Sequence, residues 1–450
     1  MAGNPLQSRV EAIRRLTRKS AGPALRRALG KSRPEDIAAA LGHLAPAEQR
    51  LLFTQIDDDQ QASDVLVQLA DADLHKSVVL VDFQRLIRLF QKMEADDAAD
   101  LIARLPFDLQ ARVLAAIKGE EKEQVEDLLA WPEDSAGRIM QPVAFRVKNT
   151  QTCREAIEAL QDAENVEMVF YLYAENEADQ LVGVTSLRNL LTHSPSTRIA
   201  DIMTPDVIAV HPEQDQEEVA RIVSRYALLA VPVVDEVRHL LGIVTVDDVV
   251  HVIKEEAAED MMLMAGMGDE VDPNAGTVLQ SVRTRLPWLL VTMCGGMVTS
   301  EIISRVQPML SGEAALLAFI PVIMGMAGNV GIQAATIAVR NLATGASSTI
   351  GMGRVMFREM RVGFLVGIAF AIIVGTFAGV RNGQPLLGAA IAIAGVVQLT
   401  VSATVGTGVP ALMARLGVDP AVATGPFVTT GIDMLAIAVY FSTCMLVLQL

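Results

Sequence analysis

Asp433 is the residue most in need of a chemical reason. It sits within residues 422–450, an apolar run that contains no lysine or arginine to pair with it. An ionised carboxylate at membrane depth costs about 2.5–3.5 kcal/mol or more. Such a group must face water, a cation or a hydrogen-bonding partner. Gly425 and Thr429 lie eight and four residues earlier, on the same face of a helix. Gly425 allows close approach, and Thr429 offers a hydroxyl and a carbonyl. The alternative is a protonated Asp433 bonded inside a helix bundle. A second polar stripe is formed by Asn329, Gln333 and Thr336, three or four residues apart and interleaved with Gly325, Gly328 and Gly331. It reads either as pore lining or as packing between helices.

These side chains need apolar helices to carry them. No lysine follows Lys254, and charge becomes sparse from about Pro287. Five stretches long enough to cross a bilayer run over residues 287–306, 314–339, 361–380, 386–413 and 423–449. Several are interrupted by Gly or Pro, as transporter helices are. Arginines orient them. Arg283 and Arg285 precede the first span. Arg340, Arg354, Arg358 and Arg361 separate the second from the third, and Arg415 the fourth from the fifth. The alternate loops carry only Arg381, with Arg305 near the end of the first span. The N-terminus is then cytoplasmic and the C-terminus outside an inner or plasma membrane. Glu301 is the only other acid expected within the spans, which weakens coupled ion exchange as a mechanism.

The soluble half reads differently. The chain has 450 residues and a net charge of −16. Nine basic residues up to Arg33 face Glu11 alone, and most of the acidic excess lies between Glu35 and Asp272. A nucleic-acid partner is disfavoured, because phosphate needs a basic face. Concentrated carboxylates suit hard cations or simply keep a surface soluble. The basic start lacks the apolar core of a signal peptide. Its helix is either solvated or in contact with anionic membrane lipid. Cys153, Cys294 and Cys444 are too scattered for a disulfide framework or a zinc site. Over residues 34–130, Leu41, Leu44, Leu51 and Leu52 recur at helical spacing. Laying Asp36 on Asp97 matches Ala38, Leu41 and Leu44 with Ala99, Ile102 and Leu105, implying stacked helical hairpins. After a loop at 131–137, strands at 166–173 and 181–184, then at 230–234 and 241–244, predict two βαββα units. One acidic, Met-rich helix runs from Asp248 to about Met267, and a second leads from Thr277 to Arg285.

Several long motifs resemble the MgtE family of Mg²⁺ channels: GNVGIQAAT (328–336), RNLATG (340–345), and DPA, GPF, TTGID and YF across 419–441. PEDSAGRIM (132–140), VPVVD (231–235) and GIVTVDDV (242–249) match as well. The resemblance covers nearly the whole chain in the family's domain order. It implies a multidomain protein: an all-α superhelical N domain over 1–131 with a basic extension at 1–33, and α/β CBS domains over 132–198 and 199–253. A plug helix at 254–284 and an all-α five-span pore domain at 285–450 would follow. It implies a homodimer with one pore on the two-fold axis, in which Asp433 of each protomer holds hydrated Mg²⁺. Mg²⁺ gives up water reluctantly, so two carboxylates around a hexahydrate cost less than a dry cage.

The resemblance also implies cytosolic Mg²⁺ sensing. The candidate ligands are Asp96 or Asp97 in the N domain, Glu217 and Asp248 in the second CBS domain, Glu256, Glu259 and Asp260 on the plug helix, and Asp419 before the last span. The three plug acids share one face by i, i+3, i+4 spacing. The chain departs from the family pattern at Ala227, His251 and Lys92, where further acids are usual, so sensing is expected to be weaker. ATP is a candidate ligand of the CBS pair through Tyr171, Arg188 and Asn189. Thr245 and Asp248 fit the usual ribose-holding pair, but Asn189 replaces the acid in the first unit. Competing readings are broader conduction of Mn²⁺, Co²⁺ or Ni²⁺, and a membrane-anchored sensor that transports nothing. A membrane enzyme is disfavoured, since the chain has no H-E-x-x-H, no P-loop and no histidine after His251.

Overall fold

The computed structural model describes residues 5–19, 21–142, 144–163, 170–267, 278–310, 315–343 and 351–449. The early part of the run expected at 166–173, Thr277, and the end of the RNLATG motif lie outside the described residues. The chain divides into two compact units, Met1–Lys254 and Glu255–Leu450.

The first unit opens with helices, from Pro5–Arg18 to Glu120–Leu129. Their starts follow local chemistry. Pro34 and Pro46 occupy the first helical turn, where a missing N–H costs nothing. Asp58 and Asp82 cap the helices that follow them by accepting backbone N–H bonds. The residues paired by the internal repeat, Ala38 with Ala99, Leu41 with Ile102 and Leu44 with Leu105, are all buried. The basic N-terminal helices belong to this core through Ile13, Leu25 and Leu29.

Five strands follow. β1 (Arg146–Lys148) runs parallel to β2 (Tyr171–Glu175), which pairs antiparallel with β3 (Leu181–Ser186). With helices Cys153–Asp162 and Leu187–Thr192 they complete one βαββα unit. In the second, β4 (Ala230–Val234) pairs antiparallel with β5 (Leu240–Thr245). The expected first strand shrinks to a single parallel bridge, Val210 to Val233. The 132–141 segment joins this second unit: Gly137 donates to Pro212, and Gln141 exchanges bonds with Ile243.

The second unit holds five helices long and apolar enough to cross a membrane: Ser281–Met309, Ile320–Ala343, Met352–Asn382, Pro385–Arg415 and Phe427–Leu448. Each overlaps one of the five stretches expected from hydropathy, although the first begins at Ser281 and the third at Met352, six and nine residues earlier than expected. Small residues bring the second, fourth and fifth together. A Cβ on Gly406 would lie 2.3 Å from the Gly331 carbonyl, and one on Gly331 would lie 2.0 Å from Ile432 Cδ1. A side chain at Gly406 would meet backbone and require a helix to move, whereas one at Gly331 would first have to displace the tip of the Ile432 side chain. The buried Tyr440 donates to the Leu316 carbonyl at 3.0 Å. The last stretch is not one helix. Gly425 (φ −70°, ψ −119°) separates Pro420–Thr424 from Pro426–Leu448.

Ala227 ends the helix Gln216–Tyr226 at φ 52°, ψ 45°, a left-handed conformation that strains any residue with a Cβ. Ala227→Gly is expected to stabilise the first unit by about 0.5–1 kcal/mol, read as a higher midpoint in urea or thermal unfolding. An unchanged or lower midpoint would count against the strain.

Candidate functional site

The membrane residues gather at the start of the fifth span. Asp433 is half-buried, and its Oδ1 lies 3.9 Å from where a Cβ would stand on Gly328. One turn earlier, Thr429 donates its hydroxyl to the Gly425 carbonyl at 3.0 Å, and its backbone N–H to the same oxygen at 3.2 Å. Gly425, Thr429 and Asp433 therefore form a continuous column, although Gly425 caps the helix instead of lying within it. No ion pair reaches Asp433 among the described residues. On the second span Asn329, Gln333 and Thr336 are all exposed on one face.

The segment expected as the plug reaches the foot of this column. The helix Val246–Met264 ends beside Gly425, where a Cβ would meet the Leu263 carbonyl at 3.1 Å and the Gly266 Cα at 3.2 Å. Leu263 is buried with Val339 and Ala421. Of the three acids expected on one face, Glu256 and Asp260 are half-buried and Glu259 is exposed. Asp260 is raised above the usual carboxylate range by burial and by the charge of Asp419. Asp419 accepts the Ala421 N–H at 2.8 Å and caps the short helix before the break.

A separate carboxylate cluster lies in the first unit. Asp96 and Asp97 stand in the first turn of the helix Ala95–Ala103. Burial raises both, and the charge of Asp248 raises them further, Asp96 well above its ordinary value and Asp97 to about 7. Burial likewise lifts Asp248 to about 6, against the Thr245 hydroxyl, which lies 2.5 Å from both Asp247 and Asp248. His251 acts to lower Asp248, opposite in sense to the acid that the family pattern supplies there. Lys92 is exposed. Asp96 Oδ1 is enclosed without a hydrogen-bond donor among the described residues. The donors here are all carboxylate or hydroxyl oxygens, although among the described residues no three acidic, histidine or cysteine side chains are arranged to hold a metal ion. Glu217 is half-buried in the first turn of its helix.

Tyr171 opens β2 directly opposite Ser186, the N-cap of the helix that carries Arg188 and Asn189. The three nucleotide candidates therefore lie at one end of the sheet. Thr245, by contrast, is already engaged by the two aspartates.

Sequence spacing missed one acid. Glu359 lies in the third span and is only 5% exposed. The expected span began at residue 361, which left Glu359 among the flanking arginines. Glu301, the acid counted instead, is exposed and bound to Arg305 at 2.7 Å.

Comparison with known proteins decides the family. The divalent cation transporter model MgtE matches residues 320–443, its intracellular N domain 32–134, and the CBS domain 199–255. The magnesium transporter MgtE of Thermus thermophilus is 34% identical over 95% of both chains. That of Bacillus subtilis is 32% identical over 90% of this chain and 92% of its own. The chain belongs to the MgtE magnesium transporter family. It is thus a transporter rather than an enzyme, a multi-pass membrane protein with an intracellular N domain. The crystallised cytosolic domain of an MgtE Mg²⁺ channel in complex with ATP is similar at TM-score 0.51 and 31% identity, over 54% of this chain and 99% of that one.

The shared carboxylates predict a pH dependence. Asp97 and Asp248 bind protons more tightly folded than unfolded, so their stabilising share is present in acid and is lost as pH rises through their folded values. With divalent cations chelated, thermal unfolding followed by Trp131 fluorescence should shift to lower temperature between about pH 4 and 7. Asp97→Asn should flatten that slope. A midpoint that rises with pH would show that these groups are not buried together.

Proposed function

We propose that this MgtE protein is a gated Mg²⁺ channel. Mg²⁺ enters the cytosol down its electrochemical gradient and closes the pore by binding between acidic cytosolic elements. The observation that carries the reading is Asp433, a half-buried carboxylate in the fifth span with the Thr429–Gly425 column beneath it. A wet, doubly charged substrate compensates such a group in a setting where hydrocarbon cannot. The exposed Asn329, Gln333 and Thr336 support a homodimer, because polar side chains turned toward lipid tails lack partners. A second copy would cover them and set two Asp433 carboxylates around one hydrated ion. Oxygen-only donors suit Mg²⁺ and Mn²⁺.

For the gate, Asp96, Asp97 and Asp248 form one sensing cluster, and Asp260 with Asp419 a second beside the plug, with Glu217, Glu256 and Glu259 as further ligands. Facing carboxylates about 4 Å apart repel by roughly 4 kcal/mol at an effective dielectric near 20. A swing of about 5.5 kcal/mol takes a two-state gate from 1:99 to 99:1, so a few bridged pairs suffice. In the membrane of the cell the C-terminus lies outside. Tyr171, Arg188 and Asn189 would hold the ribose and phosphates of ATP, as support for the closed cytosolic dimer.

Asp433→Ala is expected to abolish rescue of a Mg²⁺-auxotrophic bacterium and to reduce Mg²⁺ uptake by vesicles at least about tenfold, a loss of roughly 1.4 kcal/mol or more. Rescue equal to that of the unaltered protein would move the pore elsewhere. In patch recordings, Asp97→Asn combined with Asp260→Asn should raise the cytosolic Mg²⁺ needed for half-closure about tenfold or more, leaving the open-channel current unchanged. A closure curve that does not move would separate these carboxylates from the gate.

A further inference from the structure

We propose that the two N-terminal helices form an electrostatic docking surface for the anionic cytoplasmic leaflet of the membrane. The match to the family's N-domain model begins at residue 32, and the helices Pro5–Arg18 and Gly22–Leu29 precede it. They carry nearly all of their charge in one sign on a chain that is otherwise strongly acidic. Their apolar side is already consumed. Ile13, Thr17, Leu25 and Leu29 are buried in the N-domain core, so no greasy face remains to insert into lipid.

What remains is cationic, and all of it is exposed except Arg14, which is half-buried with its Nε enclosed. Arg9 pairs with Asp36, Arg18 with Glu48 and Arg26 with Asp57. Arg14, Arg15, Lys19, Arg27, Lys31 and Arg33 have no acidic partner among the described residues. Arg14, Arg15, Arg18 and Lys19 converge on a groove of about 390 Å³ in which Glu11 is the sole acid. A cluster of this size next to a bilayer suits anionic lipid headgroups. The same chain is anchored by five spans, which holds this intracellular surface at high local concentration beside its target. Nucleic acid would meet the same groove, but the acidic surface around it repels a long polyanion. The docking does not depend on the proposed gate.

The test uses the full chain in nanodiscs. A donor fluorophore is placed at Glu11→Cys in a Cys294→Ser background, since Cys153 and Cys444 are buried. Acceptors ride on the lipid headgroups. Energy transfer should be higher in discs containing phosphatidylglycerol than in phosphatidylcholine alone, and should fall at about 0.5 M KCl. Each neutralised basic residue should weaken attachment about fivefold, so Arg14→Gln, Arg15→Gln and Lys19→Gln together should abolish the difference. Arg14→Lys with Arg15→Lys should keep it, which separates charge from helix packing. Transfer that ignores lipid charge would overturn the proposal. So would loss of the lipid effect to a short RNA that binds the groove in its place.

Discussion

Everything in this molecule answers to the cost of keeping negative charge where water cannot screen it. Asp433 meets that cost inside the membrane domain, Asp260 and Asp419 meet it beside the plug, and Asp96, Asp97 and Asp248 meet it in the soluble unit. At Asp96, Asp97 and Asp248 the acids raise one another as well as being buried, and Asp96 leaves an enclosed carboxylate oxygen without a donor among the described residues. Such arrangements cost stability, and in the proposed function it is a mobile positive charge that settles them.

The membrane domain is organised so that this charge stays in register. Gly331 and Gly406 let the second and fourth spans close to backbone distance, the Ile432 side chain of the fifth packs onto Gly331, and Tyr440 ties the fifth span to the segment before the second. The column from Gly425 to Asp433 is therefore held by rigid neighbours. In the proposed channel, the exposed polar stripe of the second span is left for the second copy to cover.

Much of this was legible in sequence, and the misses have physical causes. Hydropathy found all five spans, because twenty apolar residues have few other uses. Asp433 stood out because nothing nearby neutralises it. Glu359 escaped notice because arginines on either side made the start of its helix look like loop, while tertiary packing buries it. The strand expected to open the second βαββα unit is reduced to the Val210 bridge, since strand length depends on partners that a linear pattern does not show. Helical spacing put Glu259 with Glu256 and Asp260, yet Glu259 is exposed. Which part of a helix face is covered is decided by its neighbour. The break at Gly425 was missed, because the apolar run continues across it and the span was read as one helix from 423, and its role beside Leu263 needed three dimensions.

That contact separates two duties. The end of the plug helix meets Gly425 through main chain, the Leu263 carbonyl and the Gly266 Cα, with no side chain between them. Main chain carries no titratable group and varies little with residue identity. In the proposed gate, how tightly the mouth is stopped is then a matter of fit, while the carboxylates further back decide the moment. Lineages are free to retune the set point by trading acids, as Ala227 and His251 suggest here, without remaking the stopper.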